Sequence, residues 1–473
     1  MSIRRRWPVT LGVLFVGSVG VLVEAADGVP AIPSPGKPTE TVEKPVDESR
    51  KPVKPKELGD SVKKGLEYLI GQQHDNGGFG QGGGWRISNQ DGNGRVEGKE
   101  VKDPPDLGNT CVAALALIRA GNTPKDGKYA TPLTKAIEFI ETSIEQSDSD
   151  SLYVTPVRDT QLQSKIGRYV DTFLAALVLS ELKGQMPDKK SEDRLFAALN
   201  KTIGKIESNQ GKDGNFAGNS GWASVLSQGL CSKALSRASQ KGVAVKAETL
   251  KRDLDQTVAQ LAPAKPVEGK VAVGGPVAEI TATSGLTPPT GRGGSTAALG
   301  GAGPSGKSDA GVLLYSIAAN GSRVQDAVNS TRERKDKAKT VLNSPAASDE
   351  SKTAARSELK LVEEAEVSNV EAAKQLEANI NDGRFLKGFG NNGGEEFLSY
   401  MNISETLLVK GGETWEKWDR QICDTIGKAQ NEDGSWSGHH CITGRTFCTS
   451  AALLTMMADR APLPEIAEAK PQK

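Results

Sequence analysis

Two groups of side chains in this sequence have the types and spacing to do chemistry. Near the C-terminus, His439, His440, Cys441 and Cys448 place two imidazoles and two thiols close together. Two nitrogens and two thiolates would fill a tetrahedral zinc shell. Adjacent side chains seldom converge on one ion, however, and the spacing matches no compact zinc pattern. The expectation is therefore no stoichiometric metal and no cofactor, with a polar loop beside a buried cysteine, or a local Cys441–Cys448 disulfide, in its place. The second group is Asp103, Asp106 and Asp171, with Arg168 beside the last. These residues lie near the starts of two charge-poor helical stretches. An acid there could be catalytic, and Asp106 and Asp171 are equally suited to capping those helices. A third motif, "GAGPSGKS" at 301–308, fits the phosphate-loop pattern in spelling alone. It stands in a Gly-rich run with no strand before it, so the mechanism of that loop has no support.

The elements that must position these residues are helices of two kinds. The stretches around Val62, Leu66 and Leu69, around Phe196, Leu199, Ile203 and Ile206, and around Trp415, Trp418, Ile422 and Ile426 repeat apolar residues at steps of three and four, with charges between. Each buries one face. The stretches "NTCVAALALI" (109–118), "WASVLSQGLC" (222–231), "GVLLYSIAA" (311–319), "FLSYMNIS" (397–404) and "TFCTSAALLTMM" (446–457) carry no charge, and "DTFLAALVLS" (171–180) carries only Asp171. Helices of that kind are enclosed on nearly all sides. Six pairs can be written: 58–73 with 108–121, 130–146 with 168–184, 190–209 with 220–238, 244–261 with 306–320, 322–342 with 396–410, and 412–430 with 443–459. Like units stack. A fully enclosed partner in every pair predicts that the stack closes, amphipathic helices outside and apolar ones inside.

One phrase marks the joints. "QHDNGGF" (73–79), "QGKDGNF" (210–216) and "QNEDGSW" (430–436) share Gln, three residues, Gly, one small residue and an aromatic. Each follows an amphipathic helix. Gly77, Gly214 and Gly434 stand where a positive φ is wanted, and Asn76, Asp213 and Asp433 before them are turn formers. The Gln can bond free backbone groups at a neighbouring helix end, and the aromatic packs back at the junction.

The remaining segments are low in apolar content. Arg4, Arg5 and Arg6, the apolar run 7–23 and Val23-Glu24-Ala25 read as a signal peptide over 1–25, with an uncleaved anchor as the alternative. Either reading places the body outside the cytoplasm, periplasmic or extracellular. Residues 26–57 are a Pro- and Lys-rich linker, 262–305 a Gly-, Pro- and Ala-rich disordered insertion, and 461–473 a tail. The toroid is thereby expected in two parts, 58–261 and 306–460. Residues 324–380 are densely charged, with Pro345 between two helical stretches. They read as a protruding, coiled-coil-like helical hairpin or as solvated charged helix. Acidic and basic residues are equal in number, 59 each, which leaves no basic footprint for nucleic acid. Five cysteines in 473 residues do not make a disulfide scaffold, and most lie within apolar helices where a free thiol is common.

The phrase, followed each time by an Ala/Leu-rich helix, resembles the repeats of squalene–hopene cyclases and related terpenoid cyclases. The copies at 73 and 210 also resemble those of protein prenyltransferase subunits. The likeness covers 58–240 and 385–459. It implies an all-α, α6/α6 toroid of six inner and six outer helices, in agreement with the six pairs. The reaction does not carry over. Such a cyclase starts its reaction with an Asp-x-Asp-Asp acid motif, which this sequence lacks; "SDSDS" at 147–151 is a polar turn. Cyclases also guide cations with aromatic faces, and only 22 Phe, Trp and Tyr occur here. The prenyltransferase zinc site needs Asp-x-Cys and a later His, and Arg445 stands near where the His is expected. The sequence therefore reads as an exported toroid with a binding or assembly role. Its expected partners are an apolar small molecule in the central cavity or a protein docked on the charged hairpin, and an uncleaved N-terminus would add a membrane tether. The alternative is an enzyme on the same scaffold, terpenoid cyclase-like or a polysaccharide lyase.

Overall fold

The apolar spacing of "DSVKKGLEYLIGQ" forms α1 (Asp60–Gln72), which buries Val62, Leu66, Tyr68 and Leu69 and leaves its charges in solvent. The charge-poor segment after it forms α2 (Leu107–Arg119), in which nearly every residue is buried. The alternation continues. Amphipathic α3 (Ala130–Gln146) precedes the short α4 (Gln161–Lys165) and the wholly buried α5 (Val170–Leu182). Amphipathic α6 (Lys189–Asn209) precedes buried α7 (Ser224–Gln240), and α8 (Ala247–Leu261) follows. Next come the long α9 (Leu313–Asn343) and α10 (Asp349–Ile380). Buried α11 (Gly394–Lys410), amphipathic α12 (Gly412–Lys428) and buried α13 (Arg445–Met456) complete the set. The computed structural model describes residues 53–85, 95–98, 100–261, 313–380 and 393–462. It is 67% helical and 3% strand, an all-α protein. The expected leader at 1–25, most of the linker, the insertion at 262–305, the phosphate-loop spelling at 301–308 and all but the first two residues of the tail lie outside the described residues. Among the described residues, no helix is long and apolar enough to cross a membrane.

The buried helices pack on one another in sequence. α2 touches α5, α5 touches α7, α7 touches α9, α9 touches α11, α11 touches α13, and α13 touches α2. Amphipathic helices flank them: α1 lies on α13 and α2, α3 on α2, α6 on α5, α8 on α7 and α9, α10 on α9, and α12 on α11 and α13. One large apolar core runs through all of them except at the junction of α8, α9 and α10, where Leu254, Val328 and Ala365 make a separate small cluster.

The three repeated phrases share an Asx turn, a positive-φ glycine and a glutamine tie to another helix. Asn76, Asp213 and Asp433 each accept a bond from the backbone N–H two residues on. Gly77, Gly214 and Gly434 have φ of 86°, 79° and 86°. A Cβ on any of them would collide with a carbonyl in the opening turns of another amphipathic helix: Lys135 in α3, Arg252 in α8 and Lys64 in α1. The glutamines reach the same three helices one turn earlier. Gln73 donates to the Pro132 carbonyl at 2.8 Å, Gln210 to Thr249 at 3.3 Å and Gln430 to Ser61 at 2.8 Å. Phe79, Phe216 and Trp436 are buried. The backbone N–H groups of Phe79 and Trp436 donate to Thr110 of α2 and Thr449 of α13, each at 2.9 Å.

One expected boundary is wrong. The break placed between 306–320 and 322–342 is absent, and Leu313–Asn343 is one 31-residue helix. Asn320-Gly321 does not end it because Gly321 keeps a helical φ, and the buried Arg323 and Asp326 in the next turn bond inward. Its second half pairs with α10 across the Pro345 turn, through the Arg334–Glu358 ion pair at 2.7 Å and the Lys335–Glu366 pair.

Candidate functional site

Hydrogen bonds tie together the segments that lead into α2, α5, α11 and α13 and so gather the N-terminal ends of these buried helices. Asp106 caps α2: its Oδ1 accepts from the Asn109 backbone N–H at 2.9 Å, and its Oδ2 from the Asn109 side chain at 2.8 Å. Burial outweighs these bonds and pushes the carboxyl up to about 6. Asp171 is not a cap, because Tyr169 occupies that position, and it sits in the first turn of α5. Its Oδ2 accepts from Gln163, while Oδ1 is buried with no hydrogen-bond partner. Gly108 leaves space for that oxygen, since a Cβ there would lie 2.5 Å from it. Burial first, then the neighbouring Asp106, raises Asp171 to about 7. Asp103 stands apart from this pair. Its Oδ2 accepts from the Gly83 N–H at 2.7 Å and its carbonyl is bonded to the His74 ring at 2.8 Å. It thereby ties down the loop between β1 (Phe79–Gly80) and β2 (Gly84–Trp85). Arg168 does not enter the Asp106–Asp171 cluster; Gly218 lies beside it.

The cysteine and histidine group divides. Cys448 is fully buried and donates to the Ile442 carbonyl at 3.5 Å. All five cysteines are free, so the Cys441–Cys448 disulfide is not formed. Cys448 faces the Ile442 carbonyl, whereas Cys441 lies beside Glu395. His439 meets the edge of His440, its ring 5.9 Å away, and its carbonyl accepts from Arg95 at 3.2 Å. His440 and Cys441 come together with a residue that the sequence pattern did not single out. Glu395, in the first turn of α11, has zero exposure, and its Oε2 accepts from the Ile442 N–H at 3.3 Å. Its Oε1 is buried without a hydrogen-bond partner of good geometry, beside the Cys441 thiol and the Tyr315 hydroxyl. Burial raises Glu395 to about 7 and the Cys441 thiol to about 11. Desolvation, then the neighbouring His439, lowers His440.

A second missed residue holds these loops in register. Gln161, in α4, accepts from the Thr443 N–H at 3.0 Å and donates to the Trp85 carbonyl at 2.7 Å. Arg445, the residue standing near the expected His, is ion-paired with Glu97 at 2.6 Å and Asp433 at 2.5 Å.

Farther along the buried helices, at the ends of α2 and α5 and within α7, α9 and α11, lies a network of charges. Arg119 of α2 meets Glu181 of α5 at 2.6 Å and Glu405 of α11 at 3.2 Å. Lys233 of α7 meets Glu405 at 2.7 Å and Asp326 of α9 at 3.1 Å. All five side chains are buried. Burial alone would raise Glu405, but Lys233 and Arg119 outweigh it and hold the carboxyl near 2. The cavity beside this network, lined by Lys233, Arg237, Gln325, Asp326 and Glu405, measures about 10 Å3, room for about one water. No family model and no curated protein matches the sequence.

Proposed function

We propose that this chain is an exported α6/α6 toroid, akin in architecture to terpenoid cyclases and prenyltransferase subunits, whose role is assembly with a protein partner rather than cyclisation. Two observations support the toroid: the contacts of the buried helices that return from α13 to α2, and the Gln430–Ser61 bond that joins the last amphipathic helix to the first. In this reading α2, α5, α7, α9, α11 and α13 are the inner helices. α1, α3, α6, α8, α10 and α12 are the outer ones, with α10 replacing the expected 322–342.

The observation that carries the functional reading is the buried network of Arg119, Glu181, Lys233, Asp326 and Glu405. It spans five inner helices where a cyclase would need an apolar, aromatic-lined chamber, and the cavity beside it is far smaller than any polyprenyl chain. Charges so placed would have to be stripped from their partners to admit a lipid, at a cost of several kcal/mol each. This favours the surface over that part of the interior for binding. The α9–α10 hairpin offers a charged face interrupted by Val367 and Val370, which are 65% and 37% exposed.

Incubation of the full purified chain with squalene tests this reading. Neither a cyclised product nor retained squalene is expected. A cyclised product absent from a heat-killed control would overturn the non-catalytic role. Unchanged squalene recovered on the protein would replace assembly by lipid binding.

A further inference from the structure

We propose that Glu395, His440 and Cys441 form a zinc-binding site at the N-terminal ends of α11 and α13. Their ligand atoms, one carboxylate oxygen, one ring nitrogen and one sulfur, all lie within 4.8 Å of one another. His440 Nδ1 and Cys441 Sγ are 3.1 Å apart. Bonds of about 2.0–2.3 Å at tetrahedral angles put neighbouring donors roughly 3.5 Å apart, so small rotations of His440 and Cys441 complete the geometry.

Two further features point to an ion. Glu395 is a fully buried carboxylate with one oxygen fixed by the Ile442 N–H and the other, beside the Cys441 thiol and the Tyr315 hydroxyl, holding no hydrogen bond of good geometry. A buried carboxylate oxygen without a well-aligned donor is costly unless something positive faces it. Cys441 also holds φ at 61°, a left-handed conformation that disfavours every residue but glycine. That turn lets two adjacent side chains share one side of the backbone. The adjacency that argued against a metal in the sequence is thus overcome by a local backbone conformation and by a third donor from a distant helix.

The donor set selects the metal. One thiolate, one imidazole and one carboxylate suit zinc better than magnesium or calcium, which prefer oxygen alone. A thiolate, a carboxylate and a neutral imidazole balance the charge of Zn2+. The fixed Oε2–Ile442 bond orients the carboxylate, the usual work of an outer partner in metal sites. Three protein donors leave a fourth position for water or an incoming ligand. The inference is independent of the assembly role, and its test does not involve squalene.

The full chain, purified without a tag, is loaded with zinc chloride, freed of excess ion and assayed for bound metal. One zinc per chain is expected. Cys441→Ser and His440→Ala should each weaken retention against a competing chelator by at least about 100-fold, the upper end of the loss caused by removing an outer partner. His440 is exposed, so its variant keeps the fold even where Glu395→Gln does not. Cys423→Ser, whose thiol faces Asp419 in α12, should bind zinc as the wild type does. Cobalt loading should give thiolate-to-cobalt charge-transfer absorption that disappears in Cys441→Ser. Absence of zinc from the wild type, or zinc retained undiminished by both Cys441→Ser and His440→Ala, would overturn the site.

Discussion

The two ends of the buried helices solve the same problem in opposite ways. Both ends bury polar groups among apolar helices. Toward the C-terminal ends of α2, α5 and α11 and midway along α7 and α9, Glu181, Arg119, Glu405, Lys233 and Asp326 alternate in sign along their chain of contacts, and each meets an opposite charge within 3.2 Å. At the N-terminal ends the fastenings are mostly neutral, glutamine amides, Asx turns and backbone N–H groups, with Arg445 paired to Glu97 and Asp433 as the charged exception. The carboxylates there keep spare oxygens, Asp171 Oδ1 and Glu395 Oε1. With the buried Arg237 beside Glu405, the network has three cations for three acids and little charge left to offer a ligand. An end whose acids lack counter-ions retains some. The first arrangement holds the helices together, and the second is where binding chemistry has room to occur.

The comparison breaks most visibly at Glu405. Glu405→Gln leaves Arg119 with Glu181 alone and Lys233 with Asp326 alone, both still buried. Each cation keeps one acid, so the loss is that of the charge-assisted bonds to Glu405, about 1.5–3 kcal/mol for each. Urea unfolding at pH 7 checks the figure; a loss below about 1 kcal/mol would mean that the network is solvated and the contrast between the ends is false. The wild type carries the matching pH signature. Glu405 titrates near 2 in the fold against an ordinary 4.5, so its stabilisation is complete above about pH 4.5 and is lost as pH falls toward 2.

The opposite end predicts the opposite sign. Asp171 is raised from 3.8 to about 7, so the folded state holds its proton where the unfolded chain has released it. Its contribution is greatest below about pH 4 and falls away as pH rises toward 7. Asp171→Asn removes that titration and supplies an amide to the same space. At pH 8 the variant should be more stable than wild type by roughly 1–3 kcal/mol, with the gain absent at pH 4. Denaturant melts at the two pH values separate this from a general packing effect, which would give the same difference at both.

The same contrast explains what the sequence made legible. The N-terminal ends are built from short-range grammar. The Gln, Asx, Gly and aromatic of each phrase stand within a few residues of one another in the sequence, and charge-free runs mark the buried helices, so the all-α class and the positive φ of Gly77, Gly214 and Gly434 could be read. The C-terminal network is long-range, and each member meets partners on other helices. A local signal was nevertheless present. Arg119, Glu181 and Glu405 each follow a charge-free run by one residue, and Lys233 follows one by two. Read alone, such a charge looks like the solvent-facing end of a helix. Only the shared burial of several ends makes them a network. Glu395 escaped for a related reason: it precedes the charge-free run of α11, and its partner Ile442 lies 47 residues on, past the whole of amphipathic α12. The continuity of α9 escaped because Asn320-Gly321 reads as a stop, while buried Arg323 and Asp326 hold the helix through it.

The smallest expected effect tests whether the neutral end closes on itself. Gln73 and Gln210 fasten segments 59 and 39 residues apart, whereas Gln430 reaches Ser61 across 369 residues. Gln430→Ala removes that bond and the one to the Gly434 carbonyl, with a cost of about 1–1.5 kcal/mol because the freed carbonyls lie near solvent. Gln73→Ala should cost a similar amount globally. The two variants differ in where the loss falls. Without Gln430, α1 loses a tie to α12 and retains its packing on α13 and α2, so its amides should exchange faster while those of α3 do not change. Without Gln73, the tie to α3 is lost and the pattern reverses. Native-state hydrogen exchange on the two variants reads both helices at once. Equal protection of α1 in both would show that the phrase at 430 does not fasten the last amphipathic helix to the first. The α12–α1 junction would then depend on apolar packing alone, chiefly of Trp436 against Gly65 and Leu453.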